Sequence, residues 1–257
     1  MPDVTPTTLF FALLGGILPA NLWLWFWLKE EDKSHPEPRS LLMLSFLAGM
    51  LATALALPIE KWIAVMVNGN GTLETTPLLL TLWAATEELL KFAAISFVAL
   101  RTKYFHHPID AIIFLMTVAV GFAALENAMF LISPLNAGHM FQTIVLGNYR
   151  FIGATVLHIA ASGTIGIGLA LTFYSERRLR YIATMLAVIL AVALHTTFNF
   201  LIIKSEGVYF YYVFLCLWLF ILAILLTCEK IKRMAPRSHV EYPFTGQIIK
   251  PHNILLS

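Results

Sequence analysis

Residues 77–100 read PLLLTLWAATEELLKFAAISFVAL, an apolar run that is interrupted by Glu87, Glu88 and Lys91. About 20 predominantly apolar residues cross a bilayer as one helix. A charge at the centre of such a helix costs at least ~2.5 kcal/mol on insertion scales, so intramembrane charges usually mark a functional site. The stretch therefore predicts a transmembrane helix that carries a polar site.

The rest of the chain has the composition of a membrane protein. Of its 257 residues, 59% are hydrophobic and 12% are charged, whereas soluble domains carry about 25% charged residues. Apolar runs of spanning length lie near 8–28, 41–60, 77–100, 111–133, 150–173, 181–204 and 208–228. We predict an all-α, polytopic transmembrane helix bundle of about seven spans, in contact with membrane lipids and without a nucleic-acid partner.

The distribution of Lys and Arg predicts the orientation of this bundle. Thirteen of the 17 basic residues fall on one side of the predicted membrane, and Lys91 lies within it. The opposite side holds Lys61, Arg150 and Lys204. By the positive-inside rule the N-terminus is outside and the C-terminus is cytoplasmic. We predict one transmembrane domain over 1–228 and an unstructured, proline-containing cytoplasmic tail over 229–257.

Ionisable residues in four predicted spans fall at a similar depth. At about 1.5 Å per residue, Glu87 lies ~15 Å from the external end of its span, and the others lie ~10–13 Å from theirs. These others are Glu126, His158 and His195. Isolated structural residues have no reason to agree in depth, so we predict one polar site in the outer half of the membrane.

Structural readings of the same residues remain open. An intramembrane histidine can simply hydrogen-bond a neighbouring helix, and Glu87 with Lys91 forms an i,i+4 pair that could be purely neutralising. The spacing of Ser162, Gly166 and Ala170, four residues apart, predicts a closely packed helix face.

Four motifs, in this order along the chain, resemble the PrsW family of intramembrane proteases, relatives of the CAAX prenyl endopeptidases. The motifs are EELLK (87–91), GFAALEN (121–127), HIAASGTIGIGLA (158–170) and HTTFN (195–199). The loop KSHPEPRSLL (33–42) and Asp110 also look like those of the family. The resemblance extends from about Trp23 to Leu201. Glu126 stands where the CAAX-type relatives have His, which is the PrsW-like variant.

The resemblance implies an intramembrane endopeptidase that hydrolyses a peptide bond of a membrane-anchored protein. It implies that Glu87, Glu88 and His195 are essential, and that the protein belongs to a bacterial cytoplasmic (inner) membrane. The family name is associated with cutting membrane-anchored anti-sigma factors at an extracytoplasmic position, which agrees with a site in the outer half.

Amide hydrolysis needs an activated water, a general base, a proton donor for the leaving amine and stabilisation of the oxyanion. A glutamate desolvated among helices suits the base. We assign Glu87 as the base and Glu88 as an orienting group or ligand. We assign His195 to water or metal binding, and Asn199, one turn away on the same face, to the oxyanion.

Charge counting favours a divalent metal, most simply Zn²⁺. The three glutamates of the site, opposed only by Lys91, would leave two net negative charges in a low dielectric. Two histidines and a glutamate with an open position form a catalytic zinc set. We predict the ligands Glu126, His158 and His195.

Three alternatives stay open at this point. The first is a metal-free glutamate protease of the CAAX type. The second is an ion- or proton-coupled transporter, although broken helices and repeated halves are not visible. The third is a b-type haem protein with His158 and His195 as axial ligands.

Overall fold

The computed structural model of the chain is a bundle of long helices and describes residues 4–31, 36–69, 75–204, 208–234, 240–241 and 248–249. Its helices are α1 (Pro6–Trp27), α2 (Arg39–Asn68), α3 (Pro77–Val98), α4 (Pro108–Asn136), α5 (Met140–Tyr149), α6 (Thr155–Leu171), α7 (Arg177–Lys204) and α8 (Phe210–Lys232). A 3₁₀ turn, Leu28–Glu30, follows α1, and a π-helical turn, Arg150–Ala154, joins α5 to α6. The strands β1 (Val240–Glu241) and β2 (Ile248–Ile249) pair antiparallel.

The predicted all-α membrane bundle is confirmed. Six of the described helical stretches are long and apolar enough to cross a membrane, counting Met140–Leu171 as one. The remaining long helix, α3, carries Glu87, Glu88 and Lys91 in its middle. Two boundaries differ from the sequence prediction. The fifth span begins at Met140 rather than 150, and α2 continues through Pro58 to Asn68 instead of ending at residue 60.

The predicted tail and several loops are only partly described. Helix α8 continues to Lys232, three residues beyond the predicted start of the tail, and the two short strands lie further along. The rest of the tail lies outside the described residues, as do Lys33, Arg237 and Lys250 of the charge count. The domain boundary at 228 stays a prediction.

Helix α4 lies at the centre of the bundle. It is apolar on all sides, and almost its whole membrane-spanning stretch is buried, as expected for a helix without a polar face. Helices α1, α2 and α6 pack around it. This central position lets one residue of α4, Glu126, meet His158 of α6 and Arg150 of the π-helical turn before it.

Glycines allow these helices to approach α4 closely. A Cβ at Gly49 of α2 would collide with the carbonyl oxygen of Val118, and one at Gly121 of α4 would collide with that of Phe46. Gly166 of α6 packs against the backbone of Ile112, in agreement with the predicted packing face. Small residues serve this purpose between membrane helices because they let backbones touch.

The first turn of α4 is tied to the segment before α2. The Asp110 carboxylate accepts from the backbone N–H groups of His106 (2.9 Å) and His107 (2.6 Å). Glu37 is buried beside it, and burial raises the pKa of Glu37 to about 9, helped by the negative charges of Asp110 and Glu31. Glu37 is therefore protonated at pH 7 and can donate a hydrogen bond to Asp110.

Cysteine labelling tests the orientation, which stays a prediction. Asn136 ends α4, and Ser175 lies between α6 and α7. In a background with Cys216→Ser and Cys228→Ser, Asn136→Cys should react with an impermeant maleimide in intact cells, because it lies on the predicted external side. Ser175→Cys should react only after lysis. The reverse pattern would contradict the orientation.

Candidate active site

Glu88 connects three helices. Its Oε1 accepts from Lys91 Nζ (2.7 Å) and lies 2.9 Å from His195 Nδ1, and its Oε2 accepts from Ser162 (3.3 Å). The side chain is fully buried. Glu88 thus has partners on both oxygens and fixes α3 to α6 and α7.

Glu87, the neighbouring residue, leaves one oxygen free. Its Oε2 is buried and has no hydrogen-bond partner among the described residues. This atom lies 3.7 Å from His158 Nδ1, 3.8 Å from His195 Nε2 and 3.8 Å from Lys91 Nζ. Unpaired buried oxygens are costly, so this position suits a bound water or cation.

The hydrogen bonds fix the tautomers of both histidines. Lys91 Nζ lies 2.8 Å from His158 Nδ1, and because an ammonium group only donates, Nδ1 is the acceptor. Nε2 of His158 then carries the hydrogen and donates to Glu126 Oε2 over 2.8 Å. His195 likewise donates from Nδ1 to Glu88. Two ring nitrogens then face Glu87 Oε2: His158 Nδ1, which accepts from Lys91, and His195 Nε2, which has no hydrogen bond to a described residue.

Lys91 is completely buried at the centre of this network. Besides Glu88 and His158, its ammonium group faces the ring of Phe122, 4.3 Å from the centroid. Phe122 is buried against α2, so it is a packing residue as well as a neighbour of the ammonium group. Lys91 thus neutralises the carboxylates of α3 from within.

The structure brings together five of the six predicted site residues and places the sixth apart. Those in contact are Glu87, Glu88, Glu126, His158 and His195. Asn199 is half-buried one turn from His195, and the structure shows no hydrogen bond from its side chain to these described residues. The catalytic roles assigned to all six stay predictions.

The group that could hold a metal differs from the predicted one in its carboxylate. Glu87, His158 and His195 offer ligand atoms within 4.8 Å of one another. Glu126 is not in this group, because it bonds the opposite nitrogen of His158. Each histidine thus donates its other ring N–H to a carboxylate, one of the three partners, with backbone carbonyls and water, that metal-ligating histidines almost always have. With the free oxygen of Glu87, this set fits a divalent cation.

Three residues of the site were not predicted. Arg150, counted with the external loops, donates from Nη2 to Glu126 Oε2 over 2.7 Å. Ser162, interpreted as a packing residue, also donates to Glu88. Glu60, interpreted as the end of the second span, lies within hydrogen-bonding reach of Glu87 and has a buried Oε1 without a hydrogen-bond partner among the described residues. The apolar run after Glu60 was the available sign that α2 continues.

Comparison with known proteins agrees with the resemblance. The sequence model of the PrsW family of intramembrane metalloproteases matches residues 37–225. Protease PrsW of Clostridioides difficile (strain 630) is 23% identical over 190 residues, which cover 74% of this chain and 78% of that protein. Protease PrsW of Geobacillus kaustophilus (strain HTA426) is 26% identical over 214 residues, covering 82% and 88%. No solved structure matches the chain.

The matched range includes every residue of the site described above, from Glu60 to His195. A transporter would leave this match without explanation, and a haem protein would leave both the match and the three site carboxylates without explanation. The chain therefore belongs to the PrsW family of intramembrane metalloproteases and is an intramembrane protease.

Proposed function

We propose that this protease hydrolyses a peptide bond of a membrane-anchored protein with a water held among Glu87, His158 and His195. The free, buried Oε2 of Glu87 supports this most strongly, because it lies 3.7 and 3.8 Å from one nitrogen of each histidine. Glu88 and Glu126 are occupied in holding the two imidazoles.

Glu87 is then the carboxylate placed to take a proton from the water as the water oxygen attacks the carbonyl carbon. The same proton can pass to the leaving amine when the C–N bond breaks. Asn199 lies on the same face of α7 as His195, one turn toward the predicted external side. We propose it as a donor to the oxyanion formed on the substrate.

We further propose a metal form of this site, in which Glu87 is a ligand rather than the base and, with His158 and His195, holds a divalent cation, most simply Zn²⁺. When bound, such an ion polarises the scissile carbonyl and makes a water more acidic. Lys91 and a metal cannot both bond His158 Nδ1. With a metal there, Lys91 would keep Glu88 as its partner, since Glu88 Oε1 lies 2.7 Å from Lys91 Nζ.

Formal charges also support a divalent cation. With a cation bound beside Glu87, the residues Glu60, Glu87, Glu88 and Glu126 would contribute four negative charges, whereas without it Glu60 and Glu87 would share a proton. Lys91 and Arg150 offset two of them, which leaves two. Buried charge without compensation is strongly unfavourable, and one divalent ion would balance the cluster.

For the substrate we propose a single-span protein cut in the outer half of the membrane, of the anti-sigma-factor type that the family resemblance implies. Glu126 and His195 both lie nearer the predicted external ends of their helices. Both relatives are bacterial, which supports a bacterial cytoplasmic membrane. Comparing membrane proteomes of cells with wild-type protein and with Glu87→Gln should identify the protein that accumulates uncut.

Elemental analysis of purified, chelator-washed protein tests the metal. We expect ~1 equivalent in the wild type and its loss in His158→Ala and His195→Ala, because each removes a ligand. His139→Ala is the matched control, since His139 is exposed at the start of α5 and should leave the metal in place. Full proteolysis with metal far below one equivalent would contradict this role and leave Glu87 as a metal-free base.

A further inference from the structure

Arg150 lies at an irregular point of the fold. It begins the π-helical turn that joins α5 to α6, and single π turns inside α-helices are frequent at functional sites. Side chains donate hydrogen bonds to two backbone carbonyls of this turn. Trp23 Nε1 donates to the carbonyl of Phe151 (3.1 Å), and the Thr155 hydroxyl donates to the carbonyl of Arg150 (3.2 Å).

Its guanidinium group is bound by consecutive residues of α4. Nη2 donates to Glu126 Oε2 and Nε donates to Asn127 Oδ1, both over 2.7 Å. The group also lies 3.8 Å from the ring centroid of Phe130. Asn127 is fixed in turn, because its Nδ2 donates to Thr155 (2.9 Å). Only arginine provides two such donors together with a planar face.

The Glu126 oxygen that receives Arg150 also receives Nε2–H of His158. This shared oxygen links the π turn to the site, since the opposite nitrogen of His158 faces Glu87. We propose that Arg150 is a positioning residue for proteolysis. It holds Glu126 in the orientation that fixes the tautomer and ring direction of His158.

This inference rests on the proposed function to the extent that His158 belongs to the site that holds the water or metal. Arg150 itself does not contact Glu87 or His195, and its side chain is 13% exposed. Small cations can therefore reach its position in a variant without the guanidinium group.

Chemical rescue tests the proposal. Arg150→Ala should lower kcat about 10–100-fold, the range for groups that orient metal-binding histidines, with KM little changed, and added guanidinium should restore part of kcat. Arg150→Lys keeps the charge but not the paired donors, so we expect a smaller loss of kcat. The substrate is the single-span protein that accumulates uncut in Glu87→Gln cells. Apparent Zn²⁺ affinity of the purified variants is a second measurement and should fall in parallel.

Two controls separate positioning from general stabilisation. Arg180→Ala removes a buried arginine that donates to the Phe173 carbonyl, far from the site, and its activity should not respond to guanidinium. In Glu126→Ala/Arg150→Ala the anchoring carboxylate is absent, so guanidinium should have no effect and the two losses should not add.

A wild-type kcat in Arg150→Ala would overturn the proposal. So would an equal gain in kcat when guanidinium is added to Arg150→Ala and to Glu126→Ala/Arg150→Ala. If Arg150→Ala does not accumulate, a wild-type kcat in Arg150→Lys overturns it as well. A wild type without metal would instead refute the metal assignment alone, because the rescue of kcat does not depend on it.

Discussion

Glu87→Gln should abolish proteolysis, with a loss of at least ~10³-fold, while the protein accumulates normally in the membrane. Loss of a general base typically costs 10²–10⁴-fold, and loss of a metal ligand acts in the same direction. Stability should be retained, because the buried Oε2 of Glu87 makes no hydrogen bond to a described residue. Cleavage of the accumulating single-span protein and the membrane level of the variant are measured together.

The matched control is Glu176→Gln, an exposed glutamate just before α7, which should cut at the wild-type rate. Normal cleavage by Glu87→Gln at a normal level would remove Glu87 from the reaction. If Glu87→Gln lacks the metal and still cuts normally, then Glu87 is a ligand of a metal that the reaction does not need.

Lys91→Met should destabilise the folded protein by about 3–5 kcal/mol, the range for removing one partner of a buried ion pair. Lys91 is completely buried and lies 2.7 Å from Glu88, itself fully buried. Methionine fills a similar volume but leaves the carboxylate without its cation. Unfolding in detergent, followed by helical content against temperature, should show a large fall in the midpoint.

The double variant Lys91→Met/Glu88→Gln distinguishes the effect of the lost charge from the effect of the lost packing. Removing both charges should recover much of the lost stability, because the uncompensated carboxylate is gone. Proteolysis should stay low, since Lys91 also fixes the tautomer of His158. Equal destabilisation of the single and double variants would mean that the volume of the lysine stem, rather than its charge, holds α3 in place.

Most of the fold followed from hydropathy, because bilayer thickness constrains helix length directly. The third helix was predicted in spite of its charges, since the residues around Glu87 remain apolar. The extension of the fifth helix back to Met140 was not predicted. Residues 139–149 mix polar and apolar side chains, and α5 buries only Thr143, so no continuous apolar run marks this helix.

The site was predicted less completely than the fold. Shared depth brought Glu87, Glu126 and both histidines together correctly, but depth carries no information about rotation around a helix axis. Rotation decides that Glu87, rather than Glu126, forms the candidate metal group with the two histidines. Arg150 was missed because a basic residue at a span boundary looks like an external charge. A buried carboxylate such as Glu126 needs a cationic partner, and this need was the signal that could have identified Arg150.

Helix α3 has a consequence for how the chain is made. Its three charges leave it outside the set of helices apolar enough to cross on their own, and each such charge costs ~2.5–3.5 kcal/mol at the translocon. Its partners His158, Ser162 and His195 are synthesised later than α3. On the proposed assignment of the site, the bonds that prepare it for hydrolysis are also the bonds that hold α3 in the bundle. Assembly of the bundle and of the proposed site would then be completed in one step, when α6 and α7 arrive.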